Sequence, residues 1–389
     1  MTQRVVIASA VRTPFTRAHK GELRETRPDT MAAWVIQEAI ARVPGLSPEA
    51  VEDVILGCAM PEGEQGMNVA RIASFLAGLP HTVPAMTINR FCSSGVQAIA
   101  LAAQGILAGE MEIAVAGGTE SMSMVPMGGN KFSANPELME RMPEAYTSMG
   151  ATAELVAERF GVSREDQDRF ALTSQERATL AQKEGRFREE ILPVTVSLHE
   201  DGALKSLRVE SDTIVRAETT LEGLAKLRPA FKAAGGTVTA GNASPLTDGA
   251  AALVVMSERA AQALGVTPLG YYRGIQIAGV PPEIMGTGPV PAIRKLLAKQ
   301  GLGIDDIDLF EINEAFAAQA LYSVRALEID PAKVNPNGGA IALGHPLGVS
   351  GARMAGTLLY EMRRRQVQRG VVSMCIGGGM GAAALFELA

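Results

Sequence analysis

The sequence is poor in the residues on which many binding and redox devices depend. Only three cysteines, Cys58, Cys92 and Cys375, occur in 389 residues, and an odd number so widely spaced does not form a disulfide framework. None of the cysteines forms a Cys-x-x-Cys pair, and the four histidines include no His-x-x-x-His, so no metal site is expected. Aromatic residues make up 4%, with a single Trp, which leaves little for stacking surfaces. A formal net charge of -6 argues against a nucleic-acid platform. No uninterrupted apolar run reaches the roughly 18 to 20 residues of a membrane-spanning helix, and residues 1–11 lack a basic-then-apolar leader pattern. The expectation is therefore a soluble, cytoplasmic protein without nucleic-acid or membrane partners.

What is present is an ordinary globular balance, 47% apolar and 20% charged, with 41 Gly. The length calls for at least two core-bearing units. Val5 to Ala10, Val54 to Gly57 and Ile113 to Gly118 read as buried strands, and Thr30 to Arg42 and Asn68 to Ala77 as helices. This alternation predicts a largely parallel sheet covered on both faces. From about Thr119 the alternation lapses. Met122, Met124, Met127, Met139, Met142 and Met149 crowd one stretch, either as core fillers or as a wall for a flexible apolar ligand. Residues 120–246 therefore read as an inserted subdomain. Its basic residues Arg216, Lys226, Arg228 and Lys232 are candidates for holding phosphates, with a solvated surface as the competing reading.

The last third repeats the first in pattern. Ile304 to Glu311 matches Pro48 to Gly57, Gly351 to Met362 matches the helix after Gly95, and Val371 to Gly379 matches Ile113 to Gly118. Two similar units facing one cleft are expected. Cys92 lies in Asn89-Arg90-Phe91-Cys92-Ser93-Ser94-Gly95, between an extended run and a helix. At such a turn the free N–H groups and the helix dipole favour a thiolate, although a buried structural cysteine is an equal reading of that stretch alone.

Three further motifs join it. They are Asn313-Glu314-Ala315-Phe316, Gly338-Gly339-Ala340-Ile341-Ala342-Leu343-Gly344-His345-Pro346, and Cys375-Ile376-Gly377-Gly378-Gly379-Met380-Gly381. With the Cys92 motif, in this order and over nearly the whole chain, they resemble those of the thiolases. The resemblance implies an α/β fold of two duplicated βαβαβαββ halves in a five-layered α-β-α-β-α core with an inserted loop domain. The division is 1–119 plus 247–271, 120–246 (the insert, which would bind coenzyme A) and 272–389.

The resemblance also implies roles. Cys92 would be the acylated nucleophile, His345 its base, and Cys375 a second acid/base. Asn313, through a water, and His345 would stabilise an enolate oxygen, and the N–H groups of Cys92 and Gly377 a tetrahedral intermediate. Ser244 would touch the pantetheine, Met149, Met285 and Phe316 would line its tunnel, and Arg216, Leu227 and Phe231 would hold the adenine end. No tightly bound cofactor is implied; coenzyme A and acyl-CoA are substrates. At Ser148 acetoacetyl-specific members usually carry His, and Cys-Ser-Ser-Gly is closer to the degradative 3-ketoacyl-CoA form, which together favour longer 3-ketoacyl-CoA. An acetoacetyl-CoA thiolase, or a non-catalytic acyl-CoA or lipid binder, are the competing functions. A homodimer or homotetramer, with β-oxidation enzymes as further partners, is the implied assembly.

Overall fold

The computed structural model describes residues 3–389. Its strands, in chain order, are β1 Val5–Arg12, β2 Thr16–Arg17, β3 Asp53–Gly57, β4 Ala85–Ile88, β5 Ile113–Ser121 and β6 Val194–Glu200. They continue with β7 Ala203–Val209, β8 Thr247–Ser257, β9 Gly270–Gly279, β10 Leu309–Ile312, β11 Arg369–Ile376 and β12 Met380–Leu388. One sheet runs β10-β11-β12-β9-β1-β8-β5-β3-β4, with β2 attached to β8. Its two halves join where β1 pairs antiparallel with β9, from Val5↔Tyr272 to Ile7↔Gly270.

The duplication is explicit in this order. Going outward from the junction, β1, β8, β5, β3 and β4 correspond to β9, β12, β11, β10 and a short remnant, the parallel bridge of Val334 to Phe310. Within each repeat, β3 and its counterpart β10 are also entered alike, through a one-turn 3-10 helix (Pro48–Ala50, Ile304–Asp306).

Five layers follow from where the apolar faces go. Leu253, Val255 and Ala114 of the first half and Val372, Met374 and Ala384 of the second share one core with the helices Ser94–Ala108 and Ser350–Arg365. The opposite face of the first half, with Val54, Leu56, Val115 and Val254, packs on Pro28–Ala41 and Val69–Leu76. The opposite face of the second, with Phe310, Ile312, Val371 and Leu385, packs on Pro289–Gln300 and Ala317–Ala326. Phe91–Ala108 is apolar and long enough to cross a membrane by composition, but most of it is buried within the fold. A helix covered on all sides is apolar all round.

The expected largely parallel sheet is overturned. Only β3–β4, β3–β5 and β10–β11 are parallel, whereas β8 and β12 return antiparallel beside β5 and β11. Parallel neighbours need a crossover helix, and β11 reaches β12 through three glycines instead. Within residues 120–246, β6 and β7 form a separate hairpin. Strand β6 alternates buried and exposed residues, while β7 is exposed on both faces for most of its length, so β7 has no period-two signature in the sequence.

The two central helices touch at their first turns. A Cβ on Gly95 would lie 2.7 Å from the Ala352 nitrogen, and one on Gly351 would lie 2.5 Å from the Val96 nitrogen. Both obstacles are backbone and cannot swing aside. Gly351→Ala is therefore expected to destabilise the fold by about 1 to 3 kcal/mol or more, measured by urea denaturation. Stability equal to the parent would contradict the close crossing.

Candidate active site

The crossing brings two sequence-distant loops to one place. Strand β4 ends at Ile88, a 3-10 turn covers Phe91–Ser93, and the helix begins at Ser94. Phe91 has φ +44°, a left-handed conformation that costs a large side chain energy. The Asn89 side chain accepts the Phe91 N–H at 2.8 Å, and Ser94 Oγ accepts that of Arg90 at 2.8 Å, so the turn is held from both sides. In the other loop, His345 follows the short helix Ala340–Leu343 and precedes Ser350–Arg365.

Two buried carboxylates tie the His345 loop to the rest of the fold. Glu120, at the end of β5, accepts the N–H groups of Ala59 at 2.8 Å, Met60 at 3.2 Å and Gly348 at 2.8 Å. Its fourth donor is Gln65 Nε2, at 2.5 Å. One carboxylate thereby connects the loop after β3 to the loop that carries His345. Glu314 accepts from Ser174 Oγ at 2.6 Å, Asn335 Nδ2 at 2.8 Å and the Ile341 N–H at 3.2 Å. It joins the helix Arg164–Lys183 to the Asn313 and His345 motifs. Burial pushes both carboxyl groups up, and these donors oppose that shift by favouring the charged form.

A cavity of about 380 Å³ opens between the units. Cys92, His345 and Cys375 line it, as do Ser148, Met149, Arg216, Phe231, Ser244, Met285 and Phe316. Residues 242–244 close one side of it: Ala243 bridges Phe316, the Ser244 N–H donates to the Ala315 carbonyl at 3.0 Å, and the Ala317 N–H to the Asn242 carbonyl at 2.8 Å. Met285, Ala315, Phe316 and Cys375 belong to one apolar cluster, and Phe231 meets Phe316 edge to face at 6.0 Å.

Asn313 and Gly377 stand just behind this lining. Asn313 Nδ2 lies 3.2 Å from His345 Nε2, and the Gly377 N–H, with that of Cys92 itself, faces the Cys92 sulfur. Leu227 is the residue that the cavity does not recruit. It packs beside Gly241 instead. The basic cluster also divides. Lys226 pairs with Glu222 and Lys232 with Glu158 at the surface, and of the four only Arg216 reaches the cavity.

Electrostatics revise the expected thiolate. Burial pushes the Cys92 thiol up to about 12, outweighing the two N–H groups that favour the charged form. The helix terminus therefore does not ionise it. Cys375 is pushed up as well, by burial first and then by neighbouring Cys92. His345 is driven down to about 3, by burial first and then by the charge of Arg353. At neutral pH the site holds two thiols and a neutral imidazole.

That imidazole has a defined tautomer. The Ser350 hydroxyl donates to the Pro346 carbonyl at 2.9 Å, so its oxygen is left to accept the Nδ1–H at 2.5 Å. Nε2 is then unprotonated and accepts from Asn313 Nδ2. The backbone of His345 is fixed too, its N–H donating to Thr247 Oγ1 at 3.1 Å. Ser350, Thr247, Glu120 and Arg17, which also lines the cavity, lie outside the four motif cores and carry no catalytic signature of their own in the sequence.

Family models and relatives agree along the full chain. Residues 5–259 match the model for "Thiolase, N-terminal domain" and residues 266–388 that for "Thiolase, C-terminal domain". A 3-ketoacyl-CoA thiolase of Bacillus subtilis (strain 168) is 53% identical over 388 residues, covering 98% of this chain and 99% of its own. The peroxisomal 3-ketoacyl-CoA thiolase of Homo sapiens is 50% identical over 387 residues, covering 98% of this chain and 90% of its own. Among solved structures, the Bacillus anthracis acetyl-CoA acetyltransferase superposes with TM-score 0.91 at 42% identity, covering 100% of this chain and 99% of that one.

Two measurements test the site as described. Ser350→Ala removes the acceptor that fixes the tautomer, so turnover should fall by about tenfold or more, and 15N spectra of His345 should show mixed tautomers; a single Nδ1–H form would disprove the assignment. The second is pH-dependent stability. Folded His345 titrates near 3 and the unfolded residue near 6.5, so below about pH 6.5 only the unfolded chain gains this proton. Stability is unaffected above that pH and lost progressively as pH falls towards 3. His345→Asn should accordingly lose less stability than the parent between pH 7 and pH 5 in urea titrations.

Proposed function

The chain belongs to the thiolase family, and from that premise we propose that it is an acetyl-CoA C-acyltransferase, cleaving 3-ketoacyl-CoA with coenzyme A to acetyl-CoA and a shortened acyl-CoA. The observation that carries this reading is the convergence of Cys92, His345 and Cys375 on one largely apolar cavity. Thiol and thioester are close in energy, so a cysteine can exchange acyl groups in either direction without ATP or metal.

As Cys92 attacks the 3-keto carbon, His345 Nε2 takes its proton, and the N–H groups of Cys92 and Gly377 stabilise the developing oxyanion. The C2–C3 bond breaks, and Cys375 gives its proton to C2 of the departing acetyl-CoA. During that step the enolate oxygen is stabilised by protonated His345 and by a water on Asn313, whose buried Oδ1 has no partner among the described residues. The Cys375 thiolate then takes the proton of an incoming CoA thiol, whose sulfur attacks the acyl-Cys92 thioester. Cys92 leaves and recovers its proton from His345. A neutral imidazole and a protonated thiol are suited to such a cycle, because each proton moves only when substrate charge develops beside it.

Substrate length is read from Ser148 and its surroundings. Ser148 caps the helix Met149–Arg159 without a side-chain bond to it, and it lines the cavity with Met127, Met149 and Leu246. A small side chain beside methionines suits medium or long acyl chains. The segment 120–246 serves as the coenzyme A domain between the halves 1–119 with 247–271 and 272–389, with Ser244 at the pantetheine and Arg216 and Phe231 towards the nucleotide. Strand β4 forms one edge of the sheet and is incompletely buried along its length, which supports a homodimer, or a homotetramer built from dimers. A cytoplasmic role in fatty-acid β-oxidation, alongside other enzymes of that pathway, completes the reading.

Three outcomes are expected. Incubation with acyl-CoA should give a covalent acyl adduct by mass spectrometry, and Cys92→Ala should abolish it; persistence of the adduct would refute the nucleophile. Thiolysis should proceed with C10 to C16 3-ketoacyl-CoA, and activity confined to C4 would make the chain an acetoacetyl-CoA thiolase. Ser148→His should shift preference towards C4 by about tenfold or more, measured as the ratio of kcat/KM values.

A further inference from the structure

The cavity lining carries two formally charged side chains, Arg17 and Arg216, and no carboxylate. They come from different parts of the chain. Arg17 is on β2, paired with Thr247 of β8, and Arg216 is in the insert. Their positions are fixed independently. The Arg17 carbonyl accepts the Gly21 N–H at 2.6 Å in a tight turn, and a Cβ on Gly21 would sit 2.7 Å from the Arg17 nitrogen and oxygen. The Arg216 N–H donates to Gln175 Oε1 at 2.8 Å.

Neither guanidinium has an ion-pair partner among the described residues, although most other arginines of the chain do. Arg216 is held below the usual arginine range, by burial first and by the charge of Arg17 second. Two like charges converging on one cavity without a counter-charge are a cost that an anionic ligand removes. The fork of a guanidinium matches the oxygens of a phosphate.

We propose that Arg17 and Arg216 together grip a phosphate group of the nucleotide tail of coenzyme A, so that Arg17, from the first half of the core, is a specificity residue for phosphorylated over unphosphorylated thiol carriers. The inference rests on the coenzyme A reading of the cavity. It adds that the phosphate is held jointly by the core and the insert. Because Arg17 shares a strand pair with Thr247, which holds the His345 backbone, the same short piece of sheet supports both the tail of the substrate and the base.

The test compares carriers. Arg17→Ala should raise KM for coenzyme A and for acyl-CoA by about tenfold or more while kcat changes much less, and Arg17→Lys should restore part of the loss. The defect should vanish when the thioester is carried on pantetheine, which has no phosphate. With 3′-dephospho-CoA, a vanished defect assigns the contact to the ribose phosphate and a retained defect assigns it to the pyrophosphate. An unchanged KM for coenzyme A, or an equal rise with pantetheine carriers, would overturn the proposal, the latter by showing a structural effect. If the parent protein turned over no CoA thioester at all, the functional reading would fall; direct titration of coenzyme A into parent and Arg17→Ala protein would then still decide the inference.

Discussion

Everything chemical in this molecule depends on two helices being able to touch at their first turns. Gly95 and Gly351 have no Cβ, and the space is taken by the backbone of the opposite helix. Each helix is entered from a loop that carries reactive groups, Cys92 in one and His345 in the other. A wider crossing would move the loops apart by the same amount. The pseudo-symmetric junction of β1 and β9 sets the two halves face to face, and the glycine contact sets how closely their ends approach.

The loops then need tethers, because glycine-rich turns do not hold themselves. Glu120 and Glu314 supply them by accepting bonds from several chain segments at once. Buried carboxylates are costly unless their lone pairs are filled. Here the lone pairs are filled by donors that flank the base on both sides, Ile341 and Gly348, and by the loop after β3. Desolvation also sets protonation around them, which is why the imidazole is neutral and the Cys92 thiol is not ionised.

Much of this was legible in the sequence because the reacting groups sit in long, contiguous motifs. The repeat was visible too, since Pro48 to Gly57 and Ile304 to Glu311 share an acidic turn before a strand. The antiparallel returns of β8 and β12 were not, because a strand buried on both faces has the same composition in either direction. Strand β7 was hidden by having no buried face. The protonated state of Cys92 was hidden as well: local sequence displays the helix terminus, whereas desolvation comes from residues outside the motif, Ala18, Ala59, Met122 and Leu347, that only the fold brings together. Arg17 lacked a signal for the same reason, since its relation to Arg216 exists only after folding.

Strand β4 and its counterpart at Val334 show how far two copies of one unit have drifted. On the first side the strand is complete and partly open at the rim of the sheet. On the second it has shrunk to one bridge, with the Asn335 side chain accepting the Ile312 N–H and donating to the Ile312 carbonyl and to Glu314. A side chain has taken over there from a ladder of backbone pairs. Duplicated architecture has thus yielded two unlike borders: one is spent inward, on bracing the reaction centre, and the other remains available outward.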